Sequence, residues 1–134
     1  MTEVFEGRLG IQQRVLPAYR AAFFDTLARL CPQGLSLFAG QPLAVEGILP
    51  ATGLEVGRLF PAHNVHLFDP ASPFYFCWQR GFLRWLEDWQ PEALIVEANP
   101  RYPSTRQAVR WMHRRGRVVL GWGLGAPELK GRFA

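Results

Sequence analysis

Short uninterrupted apolar runs alternate with longer segments of helical periodicity along this chain. Runs that predict buried strands occupy residues 8–16, 35–40, 64–69, 93–98 and 117–125, the last with its exit loop. Segments whose apolar residues recur every three or four positions predict helices at 19–30, 73–89 and 104–115. This order predicts parallel strands with right-handed crossovers. The predicted fold class is therefore α/β, a Rossmann-like three-layer sandwich with a mainly parallel sheet and helices on both faces.

Local signals refine the ends of these elements. Ser72 can cap the second predicted helix, and Pro73 suits its first turn. Ser104 is a candidate N-cap for the third helix, which Gly116 would end. Residues 41–64 are rich in Gly and Pro and predict a long irregular connection, of a kind that is usually functional or mobile in compact domains.

Length and composition indicate one globular domain spanning residues 1–134. Of the 134 residues, 49% are apolar, which is enough for a real core. No apolar run reaches the length of a membrane span, and the N-terminus lacks the pattern of a signal peptide. We therefore expect a cytoplasmic protein, with contact at the inner membrane surface left open. Cys31 and Cys77 lack metal-binding spacing and are expected to be reduced, packed thiols.

The net charge of +4 comes entirely from the second half of the chain. Arg106, Arg110 and Arg114 recur every four residues and share one face of the third predicted helix. Two interpretations are open: a phosphate-binding or membrane-surface patch, or a solvated helix face, which we favour. Nucleic-acid binding would require aromatic residues among the charges, so no nucleic-acid partner is expected.

The residues that follow the predicted strands carry the candidate chemistry. Because ligands of parallel α/β sheets bind beyond the carboxyl ends of the strands, these exits form the predicted substrate-binding edge. Its residues are Tyr19, Arg20, Gln41, Asp69, Glu97, Asn99, Arg101, Trp122 and Gly123. This mixture suits a polar, ring-shaped ligand such as a sugar, although polar loops also end any parallel sheet. Glu97 and Arg101 could touch a ligand or pair with each other.

Other chemical signals along the chain are weak. The motif "GWGLG" (121–125) lacks the spacing and position of a dinucleotide fingerprint, and only a tight turn or a close ligand approach can be argued from it. The three histidines are scattered without ligand spacing, so neither a metal site nor a catalytic nucleophile is predicted. The helix at 73–89 is rich in aromatics; Phe74, Phe76, Leu83 and Leu86 lie off its core stripe. They are either buried or mark a partner, a membrane surface or a lipid-bearing substrate.

Several phrases together resemble a known family. "QRVLPAYRAAFFDTLA", "LSLFAGQP", "WLEDWQPEALIVEANPRYPSTRQAVRWM" and "RGRVVLGWGLG" resemble the N-terminal half of GT-B type glycosyltransferases, similar to family 4. The resemblance covers most of the chain apart from 41–64. It implies an acceptor-binding domain that works with a second domain, which binds most of a nucleotide-sugar donor. It implies transfer of a hexose-type sugar to a glycan or lipid-linked acceptor, without an obligatory metal and with the donor as co-substrate rather than a cofactor.

The sequence departs from the family pattern in two respects. Trp122 stands at the strand exit where many relatives have a histidine close to the transferred sugar. The chain ends before a second domain and its Glu-bearing donor motif, so we expect a fragment, an isolated domain or a truncated gene product with little activity alone. The alternative is a non-catalytic, flavodoxin-like or receiver-like binding module. Asp69 is the only candidate phosphorylation site for a receiver, and "LPAYR" lacks the Ser and Thr of a flavodoxin phosphate loop.

Overall fold

A five-stranded parallel sheet is the centre of the fold in the computed structural model, which describes residues 3–99 and 101–123. The strands are β1 (Leu9–Val15), β2 (Leu35–Gly40), β3 (Arg58–Pro61), β4 (His63–Leu67), β5 (Phe76–Arg80), β6 (Ala93–Glu97) and β7 (Val118–Trp122). The helices are α1 (Ala21–Ala28), α2 (Phe82–Trp89) and α3 (Ser104–Arg114). The sheet has the order β3-β2-β1-β6-β7, and β4 and β5 form a separate antiparallel pair.

Helices cover both faces of the sheet. Successive residues of a strand point to opposite sides, so apolar strands present side chains for burial on both faces. On one face, Phe24 of α1 packs in a core cluster with Ile11 and Leu37. On the other face, Trp85 of α2 and Met112 of α3 pack in a second cluster with Leu94 and other residues of the neighbouring strands. The predicted fold class, an α/β sandwich with a parallel sheet between two helical layers, is confirmed.

The chain reverses its direction of travel across the sheet at β1. From β1 it proceeds through β2 to β3 on one side, and the later strands β6 and β7 lie on the other side. The boundary between β1 and β6 is therefore the topological switch point, where connections leave in opposite directions and open a crevice. The carboxyl ends of β1 and β6 are the place where this fold positions a ligand.

The helix predicted over 73–89 is wrong in its first half. Residues 76–80 form β5, which pairs antiparallel with β4 from Leu67 opposite Phe76 to His63 opposite Arg80. The helix begins only after Gly81, whose φ of 92° suits glycine and turns the chain from strand to helix. Ser72 and Pro73 consequently lie in the hairpin loop and do not start a helix.

The irregular connection predicted over 41–64 ends earlier than expected. It spans residues 41–57, with a single 3-10 turn at Ala44–Glu46, and is followed by β3 and the start of β4. Its end is fixed by the buried Asp25 carboxylate of α1, which accepts hydrogen bonds from the backbone N–H groups of Glu55, Val56 and Gly57. These bonds outweigh the effect of burial and lower the pKa of Asp25.

Two smaller expectations concern caps and cysteines. The N-cap of α3 is Pro103, and the Ser104 hydroxyl accepts a hydrogen bond at 3.1 Å from the backbone N–H of Gln79 on β5. The predicted N-cap role of Ser104 is therefore wrong, because its side chain joins α3 to the hairpin. Cys31 and Cys77 are both free and buried, as expected for packed thiols. Over the described ranges, no helix is long and apolar enough to cross a membrane.

Candidate functional site

The crevice at the switch point opens where β1 and β6 stop pairing. Their ladder ends at Ile11 opposite Ile95, and side chains bridge the two strands beyond it. The backbone N–H of Glu97 donates to Oε1 of Gln12 at 2.9 Å. In return, the backbone N–H of Arg14 donates to Oε1 of Glu97 at 2.6 Å. Two partly buried backbone donors are thus satisfied by side chains, which fixes the Glu97 carboxylate at the end of β6.

A bulge in β1 places Arg14 at this crevice. Gln12 pairs with Phe38 and Val15 pairs with Gly40, so β1 carries one more residue than β2 over this interval. A bulge of this kind bends the strand and changes the direction of a side chain, and bulges are frequent beside active sites.

A buried amide network ties the β4–β5 hairpin to β1. Nε2 of Gln12 donates to Oε1 of Gln79 at 2.6 Å, and Nε2 of Gln79 donates to Oδ1 of Asn64 at 3.0 Å. Nδ2 of Asn64 in turn donates to the carbonyl of Arg14 at 2.7 Å. A Cβ at Gly40 would collide with the Asn64 side chain, so glycine is required for this close approach. The hairpin is therefore held over the carboxyl ends of β1 and β2.

An ion pair anchors the irregular connection to the same place. Nη1 of Arg14 lies 2.8 Å from Oε1 of Glu46, and Nη2 lies 2.5 Å from Oε2. The side chains are only 15% and 9% exposed, so the pair is largely removed from water. The hydrogen bonds from Arg14 hold the pKa of Glu46 below its usual value. A bidentate pair of this kind fixes both partners in position as well as in charge.

His66 and Tyr75 extend this polar cluster along the hairpin. Nε2 of His66 lies 3.3 Å from the carbonyl of Gln41, and Nδ1 lies 2.7 Å from the Tyr75 hydroxyl. Because a carbonyl only accepts, a neutral His66 carries its proton on Nε2 and accepts from Tyr75 at Nδ1. The Tyr75 hydroxyl also accepts from Nη1 of Arg14 at 3.4 Å. Burial raises the pKa of Tyr75 to about 12, so its hydroxyl stays protonated.

Glu97 carries a carboxylate that the protein has not neutralised with Arg101. Within residues 3–99 and 101–123, these two side chains form no ion pair, and Arg101 is exposed. Burial raises the pKa of Glu97, and the hydrogen bond from Arg14 and the charges of Arg14 and Arg20 offset this only in part. Glu97 is also one of the residues that line an open groove between the end of β6 and α3.

Arg20 and Trp122 form the second part of the site. The Arg20 guanidinium lies 5.8 Å from the ring centroid of Trp122 and 5.6 Å from that of Tyr19. Its Nη1 donates to Oε1 of Gln13 at 3.0 Å. Trp122 is in register with Glu97 on the neighbouring strand, and Gly123 follows it. Five predicted residues, Tyr19, Arg20, Glu97, Trp122 and Gly123, therefore meet where β1, β6 and β7 end.

The remaining predicted residues divide between this edge and other parts of the surface. Asn99 and Arg101 lie in the loop after β6, where Oδ1 of Asn99 accepts from the backbone N–H of Arg101 at 2.9 Å. Gln41 follows β2 and lines a separate cavity of about 650 Å³ beside β3. The placement of Asp69 at the parallel edge is wrong. It lies in the antiparallel hairpin loop, where Oδ1 accepts from the backbone N–H of Ala71 at 2.8 Å.

The groove beside Glu97 has a volume of about 470 Å³. It runs from the carboxyl end of β6 along the first turns of α3. Residues that line it include Val96, Glu97, Asn99, Thr105, Arg106 and Arg110. Acidic, amide and basic residues therefore line one concave surface together with apolar residues, which is the usual composition of a site for a small polar molecule.

The sequence did not predict the residues that hold this site in position. Gln12, Gln13 and Arg14 interrupt an otherwise apolar central strand, and this unusual "QQR" run was the signal available in the sequence. Glu46 gave no signal, because its partner lies 32 residues away along the chain. Among the described residues, no cluster of three or more His, Cys, Asp or Glu side chains could hold a metal ion.

Replacement of Glu46 by Gln tests whether the Arg14 ion pair anchors the connection. The Glu46→Gln variant leaves the buried Arg14 charge without its counter-ion, so we expect a loss of about 3 kcal/mol in the free energy of unfolding at neutral pH. Because the folded state lowers the pKa of Glu46, this difference is present above its ordinary value of 4.5 and disappears as pH falls through the lowered value. Urea unfolding across pH measures both effects.

The matched control is Glu55→Gln, since Glu55 is exposed on the same connection and should change stability by less than about 0.5 kcal/mol. Equal stability of the Glu46→Gln variant and the unmodified chain would contradict the anchoring role.

Comparison with known proteins assigns this chain to no family. No family model matches the chain, and no curated protein or solved structure matches it. The geometry of the switch-point crevice and of the groove beside it therefore indicates what the chain can bind.

Proposed function

We propose that this chain is the acceptor-binding domain of a sugar-nucleotide-dependent glycosyltransferase. Joined to a donor-binding domain, it would position a glycan or lipid-linked acceptor for transfer of a hexose-type sugar. The proposal combines the sequence resemblance with the position of the polar cluster at the β1–β6 switch point, where α/β sheets of this kind bind ligands.

The observation that carries the proposal is the state of Glu97. One of its oxygens is held by the backbone N–H of Arg14 at the carboxyl end of β6, the residue lines the groove, and among the described residues the side chain forms no ion pair with Arg101. The carboxyl oxygens of Glu97 offer several lone pairs, so the group can still accept hydrogen bonds from ligand hydroxyl groups. Sugars are rich in such donors. A fixed, partly buried acceptor at a ligand edge is the arrangement that orients a sugar hydroxyl for reaction.

Arg20 and Trp122 have complementary roles in the proposed site. The Trp122 ring is half-buried and can pack against the apolar face of a sugar. Arg20 adds a positive charge at the first strand exit, where the resemblance places the donor phosphates. During transfer, the acceptor oxygen bonds to the anomeric carbon as its proton passes to solvent, and the bond to the diphosphate breaks so that the diphosphate leaves as an anion. A cation near the departing diphosphate stabilises the charge that develops there.

The hairpin tip favours an acceptor at a lipid surface. Leu67, Phe68, Phe74 and Phe76 are all exposed, with Phe68 at 68% and Phe74 at 67%. The Phe68 and Phe74 rings lie 6.3 Å apart, and Phe68 has a φ of 67°, an unfavourable conformation for a bulky residue.

The tip also lies next to the proposed site. The contacts of His66 and Tyr75 with Gln41 and Arg14 hold the hairpin at the ligand edge of the sheet. A narrow apolar projection at this edge is suited to enter the headgroup region of a membrane that presents a lipid-linked acceptor.

The role of Glu97 is tested by saccharide binding to the 134-residue chain. We expect mono- and disaccharides to bind, and Glu97→Gln to weaken binding about tenfold, or 1.4 kcal/mol. Because Gln retains an oxygen for the Arg14 N–H, the thermal midpoint should not fall. Calorimetry and thermal unfolding measure the two effects, with the exposed Glu92→Gln as the control. Lower stability with unchanged saccharide binding would show a structural role and contradict the proposal. Robust sugar transfer by the chain alone would contradict the need for a donor domain.

Membrane contact is tested with the hairpin variant Phe68→Ser/Phe74→Ser. We expect it to lose binding to vesicles of phosphatidylcholine and phosphatidylglycerol by about tenfold or more, because two aromatic side chains no longer leave water. Val45→Ser/Leu49→Ser is the matched control, since both residues are highly exposed on the connection. Vesicle sedimentation measures the effect. Equal binding by the two double variants and the unmodified chain would contradict a lipid-facing tip.

A further inference from the structure

The two edges of the parallel sheet differ in how they are protected. The β3 edge is short, it begins with the exposed Arg58 and it ends with the exposed Pro61. Short length, charge and proline are the usual means of preventing another strand from adding to an edge. The β7 edge contains neither a charged residue nor a proline, and its register with β6 is unbroken from Val118 to Trp122. Of the two edges, only β7 is open to another strand.

Free hydrogen-bonding groups lie at alternate positions along the β7 edge. The carbonyl of Trp122 points towards β6, since it accepts from the backbone N–H of Ala98 at 2.8 Å. The N–H and C=O of one strand residue point to the same side, and those of the next residue point to the opposite side. The backbone groups of Val119 and Gly121 therefore point away from β6. Within residues 3–99 and 101–123, β7 pairs with β6 alone, so these groups lack a ladder partner.

The side chains beside this open edge are apolar and exposed on one face of the sheet. Val118 is 55% exposed and Leu120 is 54% exposed. An open apolar groove of about 340 Å³ runs from Leu120 to Phe23 of α1, and Phe23 is itself exposed. An apolar strand edge with exposed apolar neighbours is a template for pairing with another chain.

The sequence of β7 is complementary to itself when two copies run antiparallel. With a two-fold axis at Leu120, Val119 of each copy lies opposite Gly121 of the other, and their free N–H and C=O groups pair across the axis. Leu120 then lies opposite its own copy, and Val118 lies opposite Trp122, all on one apolar face. Pairs of this aliphatic and aromatic kind stabilise antiparallel strands, and no like charges are opposed.

We propose that a second copy of this chain binds at the β7 edge, so that the two five-stranded sheets join across a two-fold axis. The ladder of five residues is about 17 Å long. An interface of this size lies below about 1,200 Å² in total, in the range of weak and reversible complexes. The dimer therefore dissociates in the micromolar range. It does not depend on the proposed saccharide site, although Val118 of the second copy lies beside Trp122.

Sedimentation equilibrium of the 134-residue chain tests the dimer from about 1 to about 500 µM. At about 0.15 M salt, the net charge of +4 on each copy is screened beyond roughly 8 Å. We expect the dimer fraction to rise with concentration. Leu120→Lys should stay monomeric, because it places like charges opposite each other at the axis. Leu83→Lys is the matched control, since Leu83 is an exposed leucine of α2, and it should dimerise like the unmodified chain.

A mixture of charge variants tests whether residue 120 lies opposite its own copy. Leu120→Glu alone should also stay monomeric, because two carboxylates then face each other. An equimolar mixture of Leu120→Lys and Leu120→Glu should regain the dimer, since opposite charges now meet at the axis. A mixture that stays monomeric would contradict a two-fold axis at this position.

Cysteine cross-linking tests the register independently of charge. Opposed residues of a non-hydrogen-bonded pair have Cα atoms about 4.5 Å apart, which a disulfide can bridge. Leu120→Cys should therefore cross-link under mild oxidation. Val118→Cys is the matched control, because it is equally exposed but lies roughly 14 Å from its counterpart in the second copy. The native Cys31 and Cys77 are buried and should not contribute.

Three results would overturn the proposal: a monomer over the whole concentration range, undiminished association of Leu120→Lys, or equal cross-linking by the two cysteine variants. A monomer in which the amides of Val119 and Gly121 exchange slowly with deuterium would show that another part of the chain covers the edge. Saccharide binding by a chain that stays monomeric would contradict the dimer and leave the proposed function intact.

Discussion

The separation of β1 and β6 beyond Ile11 and Ile95 is the constraint on which the site depends. Where two parallel strands part inside a covered sheet, their backbone N–H groups lose their ladder partners in a place that water does not freely reach. Gln12 and Glu97 replace these partners, each accepting from the opposite strand. The Rossmann-like strand order creates a crevice at this point. The side chains of Gln12 and Glu97 close its base.

The amides and charges around this crevice act as one polar unit within an apolar core. The Gln12 side chain forms hydrogen bonds with both Glu97 and Gln79. Gln79 in turn bonds to Asn64, which bonds to the bulged segment of β1 at Arg14. Buried polar groups stabilise a fold only when their hydrogen bonds are made, and a complete network of this kind is also rigid. The rigidity gives Glu97 a fixed direction, and it extends to the hairpin, the irregular connection and the start of α3.

The sequence predicts the parts of this arrangement that follow from local patterns. The apolar run of β6 and the helical periodicity of α3 identified both elements and their order. The strand β5 was missed because the buried residues Tyr75, Cys77 and Gln79 alternate with aromatic residues that are more accessible, so its apolar density resembled that of a helix. Asp69 was misplaced because a strand exit does not reveal which sheet the strand joins. Arg14 and Glu46 meet only through tertiary folding, and the groove beneath Arg106 and Arg110 depends on how α3 packs against β6.

The central claim is that ligands enter at the switch point between β1 and β6. Mapping of backbone amide NMR shifts during titration with a saccharide such as glucose tests it most directly. The account predicts that the largest shifts occur at Glu97, Asn99 and 105–110, and that they saturate together with one dissociation constant. Shifts concentrated instead at residues 50–61, which line the larger cavity of about 650 Å³ beside β3, would place the ligand elsewhere and contradict the account.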